Sequence, residues 1–446
     1  MEYQVLVFGQ KLSSGSKPAL QVDLVSNADQ AVDYYGAGSQ LARMLDKYFQ
    51  NNPSTKTYVV AMEDDGGGAD ASGDITFSGT ATKAGTIFAY IGGERFTVSV
   101  AVGDTSADVA TALFNAINAN NNCAALATNG TPSETTITAK NAGEVGNEID
   151  IRLNYFIGEE LPEGITAVVT GMSGGTSNPD VQDVIDILGD EWYNIWIGPY
   201  TDAANLTAIE TELNIRFGPT KQIDAVYFAS KRDTLGNLVT FGTGRNSPHV
   251  SIIYGTGIPN TAEEIAAAYG GQVSLEGQAD PARPFQTLVL SGILSPKSVD
   301  RFTAEENNTL LNSGIATFQV DSGGNVRIQR AITMYQTNAQ SAPSIAYLDV
   351  NTMLTLMFLR YDFRTQILTK YPRAKLADDG TILPTGQQIL TPNGGRAEAV
   401  AIFRGWQALG LVENIDQFKN DLVVERDVSD PNRMNWLLPP DLINQF

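Results

Sequence analysis

The sequence predicts a multidomain protein of mixed α/β and α+β class: a central layered α/β body, an inserted small β-rich domain, and an α+β C-terminal domain ending in an extended arm. Three observations carry this. Strands alternate with helices on both sides of a glycine-rich, strand-dense stretch. An abrupt glycine and aspartate cluster, DDGGGADASG from Asp64 to Gly73, opens that stretch. A hairpin and long helices then replace the alternation near the C-terminus.

The first unit is β-α-β. The apolar, β-rich run YQVLVF from Tyr3 to Phe8 stops at Gly9, and KTYVVAM from Lys56 to Met62 forms a second run. Between them GAGSQLARMLDKY, from Gly36 to Tyr48, spaces Leu41, Met44, Leu45 and Tyr48 at helical intervals, with Asn51, Asn52 and Pro53 as the stop. Beyond the glycine cluster come ITFSGT, GTIFAYIGG, ERFTVSVAV, TTITAK and EIDIRLNY, short alternating strands around one helix from Ser106 to Asn118, closed by SGGTSNP from Ser173 to Pro179.

From Asp180 the alternation returns, with helices expected at Val181 to Leu188, Ala203 to Phe217, Arg232 to Thr240 and Ala262 to Tyr269. Strands fall at Tyr193 to Ile197, Ala225 to Ala229 and Val250 to Tyr254. Such alternation implies a mostly parallel sheet covered on both faces. Phe318 to Val320 and Val326 to Ile328 flank the turn signal Ser322-Gly323-Gly324-Asn325. Helices follow at Val350 to Thr369 and Arg396 to Leu409, then the strand LVVER from Leu422 to Arg426 and the proline-broken apolar tail NWLLPPDLINQF. The expected division is 1–63 (a segment packing with the α/β body), 64–178 (the inserted β-rich domain), 179–317 (the α/β domain) and 318–446 (the C-terminal domain with its terminal strand and arm).

Composition removes several functions. The formal charge of −21, from 50 acidic and 29 basic residues, offers no basic face for nucleic acid. No apolar run approaches the roughly 20 residues that a membrane helix needs, so no membrane insertion is expected. Cys123 is the only cysteine and His249 the only histidine, which leaves no internal disulfide and no ordinary zinc ligand set. Any triad chemistry would have to use His249, which follows Pro248 directly before a buried strand, so a strand-edge or core histidine is expected. Gly242-Thr243-Gly244 and Gly255-Thr256-Gly257 read as loop turns, and no phosphate-binding GxxxxGK[ST] motif exists. Glu63-Asp64-Asp65 and Glu159-Glu160 lack calcium-loop spacing and read as solvated charge. Trp192, Tyr193 and Trp196 read as core aromatics, and Cys123 as a buried structural thiol. No catalytic residue, cofactor or metal is expected.

Three stretches carry a resemblance over nearly the whole chain: GTIFAYIGGERFTVSVAVGDTSADVATALFNAIN, AGEVGNEIDIR, and LTPNGGRAEAVAIFRGWQALGLVENIDQFKNDLVVERDVSDPNRMNWLLPPDLINQF. Together they resemble the tail sheath proteins of Mu-like contractile phages. The resemblance implies a non-enzymatic virion tail subunit, assembled in the bacterial cytoplasm. It would polymerise as stacked hexameric rings around a tail tube, with baseplate and tail terminator as further partners, and contract without nucleotide. It implies a subtilisin-like layout for the central body, as fold only, with the inserted domain facing outward and the C-terminal domain nearest the tube.

Terminal arms of such sheaths add strands to neighbouring subunits. Leu422, Val423, Val424, Glu425 and Arg426 are the expected exchange strand, and Trp436, Leu437, Leu438, Leu442 and Phe446 the expected arm contacts. The family pattern also carries an N-terminal arm, whereas here Met1 lies two residues from Tyr3, so no N-terminal donor strand is expected and isolated subunits would stay monomeric or polymerise differently. The sheath of a tail-like bacteriocin or injection system fits the same residues. A reading of another class is a protein that binds or hydrolyses surface polysaccharide through the β-rich domain.

Overall fold

The computed structural model of the protein describes every residue except Gly130, Leu383 and Phe446. The chain forms two compact units: a larger one of Tyr3–Glu276 and Phe285–Val350, and a smaller one of Met1–Glu2, Gly277–Pro284 and Asn351–Phe446.

The larger unit is built on a six-stranded sheet of β1 (Gln4–Gln10), β2 (Val22–Val25), β3 (Lys56–Met62), β4 (Ile195–Ile197), β5 (Val226–Lys231) and β6 (Val250–Tyr254), in the order β6-β5-β4-β1-β3-β2. All neighbours are parallel except β2, which runs antiparallel on β3. The near-continuous burial of β1, β5 and β6 follows from helices on both faces. The helix Gln40–Asn51 starts where the Ser39 hydroxyl accepts from the Ala42 amide, buries Leu41, Met44, Leu45 and Tyr48, and stops before Pro53. Close packing fixes other positions: a Cβ at Gly198 would lie 2.5 Å from the Phe8 ring, and one at Gly270 2.6 Å from Ile197.

Several elements depart from the expected set, among them the helices Ala304–Asn312 and Ile415–Asp421 and the strand Met434–Leu437. The strand Val22–Val25 and the helix Ala28–Tyr35 occupy a stretch where no element was expected. Four residues make too short a run to show alternation, and eight too short a helix to show periodicity. The helix beginning at Ala262 continues to Ala279, ten residues beyond Tyr269, because Gly270 and Gly271, which look like a stop, serve instead as close-packing positions against Ile197 and Tyr48.

The segment that follows β3 carries its own core. A four-stranded antiparallel sheet (Ile165–Ser173, Ser72–Gly79, Glu134–Ala139, Ala125–Thr128) and a three-stranded one (Glu94–Val100, Gly85–Ile91, Ile151–Leu153) enclose the helix Ser106–Ala119. That helix opens on a capping box between Thr105 and Asp108, and buries Val109, Leu113 and Ile117 against Ile75, Phe77, Ile87 and Phe96. The hairpin Thr317–Val320/Val326–Arg330 packs in the larger unit, where Ile253 bridges Ala316 and Val289 bridges Arg327.

The smaller unit packs the helices Pro392–Ala408 and Ile415–Asp421 against the last part of Val350–Lys370. Phe403 stacks on Phe418 at 4.2 Å, the Trp406 indole donates to Asp362 at 2.6 Å, and Lys370 meets Glu398 at 2.6 Å. Two strands, β7 (Val423–Arg426) and β8 (Met434–Leu437), form an antiparallel hairpin that lies on the helix Pro392–Ala408. A Cβ at Gly395 would sit 2.7 Å from the Trp436 ring, so only glycine permits this approach.

Candidate functional site

In a parallel α/β sheet, ligands bind outside the carboxyl ends of the strands, where the strand order reverses. Here the chain passes from β1 to β3 on one side and from β4 to β5 and β6 on the other, so the reversal lies between β1 and β4. The residues leaving those ends are Gln10 and Lys11, Glu63 and Asp64, Gly198 to Thr201, Arg232 and Gly255.

This crevice is filled by the inserted segment. The Gln10 amide nitrogen donates to Asp64 and to the Ala142 carbonyl, both at 2.6 Å. The Asn141 amide donates to the Lys11 carbonyl at 2.9 Å and to Asp64 at 3.0 Å, and the Ala142 amide donates to Asp64 at 3.1 Å. Arg232, immediately after β5, donates to the carbonyls of Glu148, Asn260 and Ile258, and lies 3.4 Å from Asp150. Alongside, Arg43 pairs with Glu263 at 2.6 Å and Glu264 at 3.4 Å, with both carboxylates almost fully buried. Burial pushes the Glu148 and Glu264 carboxyls up to about 7, against the pull of nearby Lys231 and Arg232 on the first and Arg43 and Lys47 on the second. Between Gln10, Gln40, Arg43, Asn141 and Glu263 there remains a cavity of about 10 Å³, room for no more than about one water molecule.

No reactive set converges on this edge. His249 lies at the amino end of β6, the opposite edge of the sheet, with its ring 5.0 Å from Phe217. Cys123 is fully buried, and burial pushes its thiol up, away from a reactive thiolate. Trp196 and Tyr193 are core residues. Among the described residues no group of three or more His, Cys, Asp or Glu is placed to hold a metal ion, and no helix is long and apolar enough to cross a membrane.

In each of the two acidic clusters one carboxylate departs from the expectation of solvated charge. Asp64 is the hub of the junction just described. The Glu159 carboxylate is 6% exposed and accepts from the Tyr90 hydroxyl at 2.8 Å, the Arg95 guanidinium at 2.7 Å and the Phe156 amide at 3.0 Å. Burial opposes its ionisation, but these donors outweigh it and hold its carboxyl below the usual range. Little local in the sequence distinguishes these carboxylates from surface ones, because all of these partners but the Phe156 amide are 54 to 78 residues away.

The residues expected at subunit contacts lie in the smaller unit. Leu422 is buried and caps the helix Ile415–Asp421, while Val423, Val424, Glu425 and Arg426 pair within the chain with Leu437, Trp436, Asn435 and Met434. Val424 and Trp436 face the core; their neighbours Val423 and Leu437 stand out on the opposite face, 41% and 60% exposed. Neither outer edge of this two-stranded sheet is paired with another strand among the described residues. Leu438 and Leu442 pack against the same core, Leu442 opposite Val412. Phe446 lies outside the described residues.

The pattern of the phage tail sheath protein central domain matches residues 174–334, and that of the phage tail sheath C-terminal domain matches residues 343–446. The chain is 41% identical over 444 residues to the Mu-like prophage FluMu tail sheath protein of Haemophilus influenzae, spanning 100% of this chain and 91% of the relative. Among solved structures it is similar to a sheath tail protein from Desulfitobacterium hafniense, with a TM-score of 0.53 at 12% identity, covering 99% of this chain and 97% of the other. It is similar, too, to the sheath complex of an extracellular contractile injection system in its contracted state, with a TM-score of 0.50 at 10% identity and coverages of 99% and 88%. With a relative of this identity spanning its full length, the chain belongs to the family of Mu-like phage tail sheath proteins.

Proposed function

We propose that this contractile-tail sheath subunit polymerises as stacked hexameric rings around a tail tube and acts by changing its packing, without catalysis. The tube, the baseplate and a tail terminator are its proposed partners, and the bacterial cytoplasm its site of assembly. The observation that carries the reading is the filled crevice: the edge of the sheet where an α/β enzyme would hold its substrate is occupied by Asn141, Ala142, Glu148 and Asp150 of the same chain. A subtilisin-like layout of the body, as fold only, belongs to this reading, since fold and activity separate readily. The division into an α/β body, an outward insertion at 64–178 and a tube-proximal C-terminal part belongs to the same proposal, supported by the insertion's own core.

Strand exchange at Leu422 to Arg426 takes a specific form in this reading. The β7–β8 hairpin keeps its internal pairing and offers an open edge, to which an extended segment of a neighbour adds by backbone hydrogen bonds. The outward pair Val423 and Leu437 sets register on the exposed face. Contacts of this kind survive rotation of the bodies that they join, which suits a sheath that contracts without coming apart. Electron microscopy of sheaths made with the Val423→Asp/Leu437→Asp double variant tests this. Both side chains are exposed, so folding is expected to change by no more than about 1 kcal/mol while stacked rings disappear. Rings that persist unchanged overturn the exchange.

A further inference from the structure

We infer that the loop Asn154–Gly158 together with Lys297–Arg301 forms a second contact between copies of this chain, on the larger unit and separate from the β7–β8 hairpin. Ile157 is fully exposed, Val299 is 85% exposed and Phe156 is 49% exposed. The two loops are tied together: the Lys297 ammonium donates to the Asn154 carbonyl at 3.2 Å and sits over the Tyr155 ring, and Arg152 lies 4.0 Å from Asp300. Exposed apolar side chains on a loose tip need no explanation; these stand on a built support. Phe156, Tyr155 and Tyr90 form an aromatic triangle with ring centroids 4.9 to 6.0 Å apart. Beneath it the buried Glu159 carboxylate fixes the Phe156 amide, the Tyr90 hydroxyl and Arg95 in one cluster. A buried charge with three donors is thus used to hold apolar groups in water.

Charge identifies the occupant. The 29 basic and 50 acidic residues divide as 18 against 37 in the larger unit and 11 against 13 in the smaller, net −19 and −2. Lys297 and Arg301 nevertheless flank the apolar tip, and among the described residues their polar partners are backbone carbonyls, of Asn154 and Pro296, not carboxylates. An apolar tip with two such cations fits an acidic partner surface with an apolar centre, and the larger unit of a second copy, at net −19, carries the acidic excess that such a partner needs. Two different patches meeting head to tail is also the geometry that generates rings and helical stacks, which a self-complementary patch does not.

This inference rests on the sheath reading and is tested apart from it. Because Cys123 is buried, Ile157→Cys places one accessible thiol on the chain. In cells that make the complete tail, sheath formation by the wild-type chain reads the assembly itself. Maleimide labelling at position 157 reads this contact. We expect labelling to fall at least tenfold from free subunit to sheath, and a benzophenone attached there to give an adduct of twice the 47.8 kDa chain. An Ile157→Cys chain that melts like wild type and forms no sheath supports the contact equally. Labelling as fast in the sheath as in the free subunit overturns it, as does an adduct with any other component. Lys297→Glu is expected to weaken assembly several-fold with an unchanged melting temperature, and unaltered assembly counts against the charge argument.

Discussion

The larger and smaller units solve the problem of holding charge and strand edges in opposite ways. In the larger unit the charges at the centre are buried and answered from across the fold, as in Arg43 with Glu263 and Glu264 and Arg232 with Asp150. The six-stranded sheet is covered there, and the edge at which its strand order reverses is sealed by the insertion. The smaller unit is nearly neutral. It ends in two-stranded sheets with open edges, and several of its ion pairs, such as Lys370–Glu398 and Arg433–Asp427, are at the surface. The main sheet of one unit is closed at its reversal edge by its own chain, while the terminal hairpin of the other presents backbone groups to which a further strand can add. For a protein that must stay folded while its neighbours move, rigidity belongs in the first and adaptable contacts in the second.

The largest expected effect breaks the first half of this comparison. Arg43→Ala leaves Glu263 and Glu264 buried without their cation, and is expected to cost about 3–5 kcal/mol in chemical denaturation. The Arg43→Met variant combined with Glu263→Gln and Glu264→Gln should recover a large part of that loss. If the single substitution costs less than about 1 kcal/mol, the buried pairs do not hold the larger unit together.

In the smaller unit, Gly395→Ala drives a methyl into the Trp436 ring and is expected to cost about 1–3 kcal/mol. The loss should appear as faster hydrogen exchange in β7 and β8 with no change in β1 to β6. Uniform loosening of both units would mean that they do not behave as separate cooperative bodies.

Acidity should separate the units by sign. Glu148 and Glu264 ionise near pH 7 in the folded chain against an ordinary value of 4.5. The folded state therefore binds more protons within that window, and the stability of the larger unit should fall as pH rises from about 5 to 7, by about 1.4 kcal/mol at most for each unit of pKa difference. Glu148→Gln should flatten the dependence. Asp427 behaves in the opposite sense: hydrogen bonds from Ser429, Arg433 and Asn435 hold its carboxyl far below the usual range, so the stability that it lends is present at neutral pH and lost on acidification. Urea unfolding monitored by exchange in each unit checks both, from pH 8 to 5 for the glutamates and from pH 5 to below about 4, the ordinary aspartate value, for Asp427, and the same sign of slope in both units would remove the contrast.

The smallest effect concerns that same aspartate. Asp427→Asn should speed exchange at the turn between β7 and β8 and leave the Phe403–Phe418 stack intact; no local change would show that the turn is set by its backbone alone.

Much of this was legible in the residues and some was not. Continuous apolar strands such as Val250–Tyr254 and helices with a clean cap, such as Ala203–Phe217 after Asp202, fall where period and capping place them. The brief Val22–Val25 and the helix running through Gly270 and Gly271 did not, because short strands carry too few residues for alternation and glycine reads as a stop until its packing partner is known. The residues Leu422 to Arg426 could be picked out as a strand, but the pairing of Val423–Arg426 with Met434–Leu437 depends on a turn with no strong dipeptide signal. The sealed crevice was invisible for a more basic reason: Gln10, Asp64, Asn141 and Arg232 are ordinary polar residues, and only the return of the chain to the same edge makes them one structure.

The most direct test of a complete unit joined to an open one is hydrogen exchange of the free subunit against the assembled sheath. Amides of Val423–Arg426 and Met434–Leu437 are expected to gain strong protection on assembly, while those at the sealed edge, Gln10 to Leu12 and Ala142 to Asp150, stay as they were. Protection gained at the sealed edge with the hairpin unchanged would contradict this.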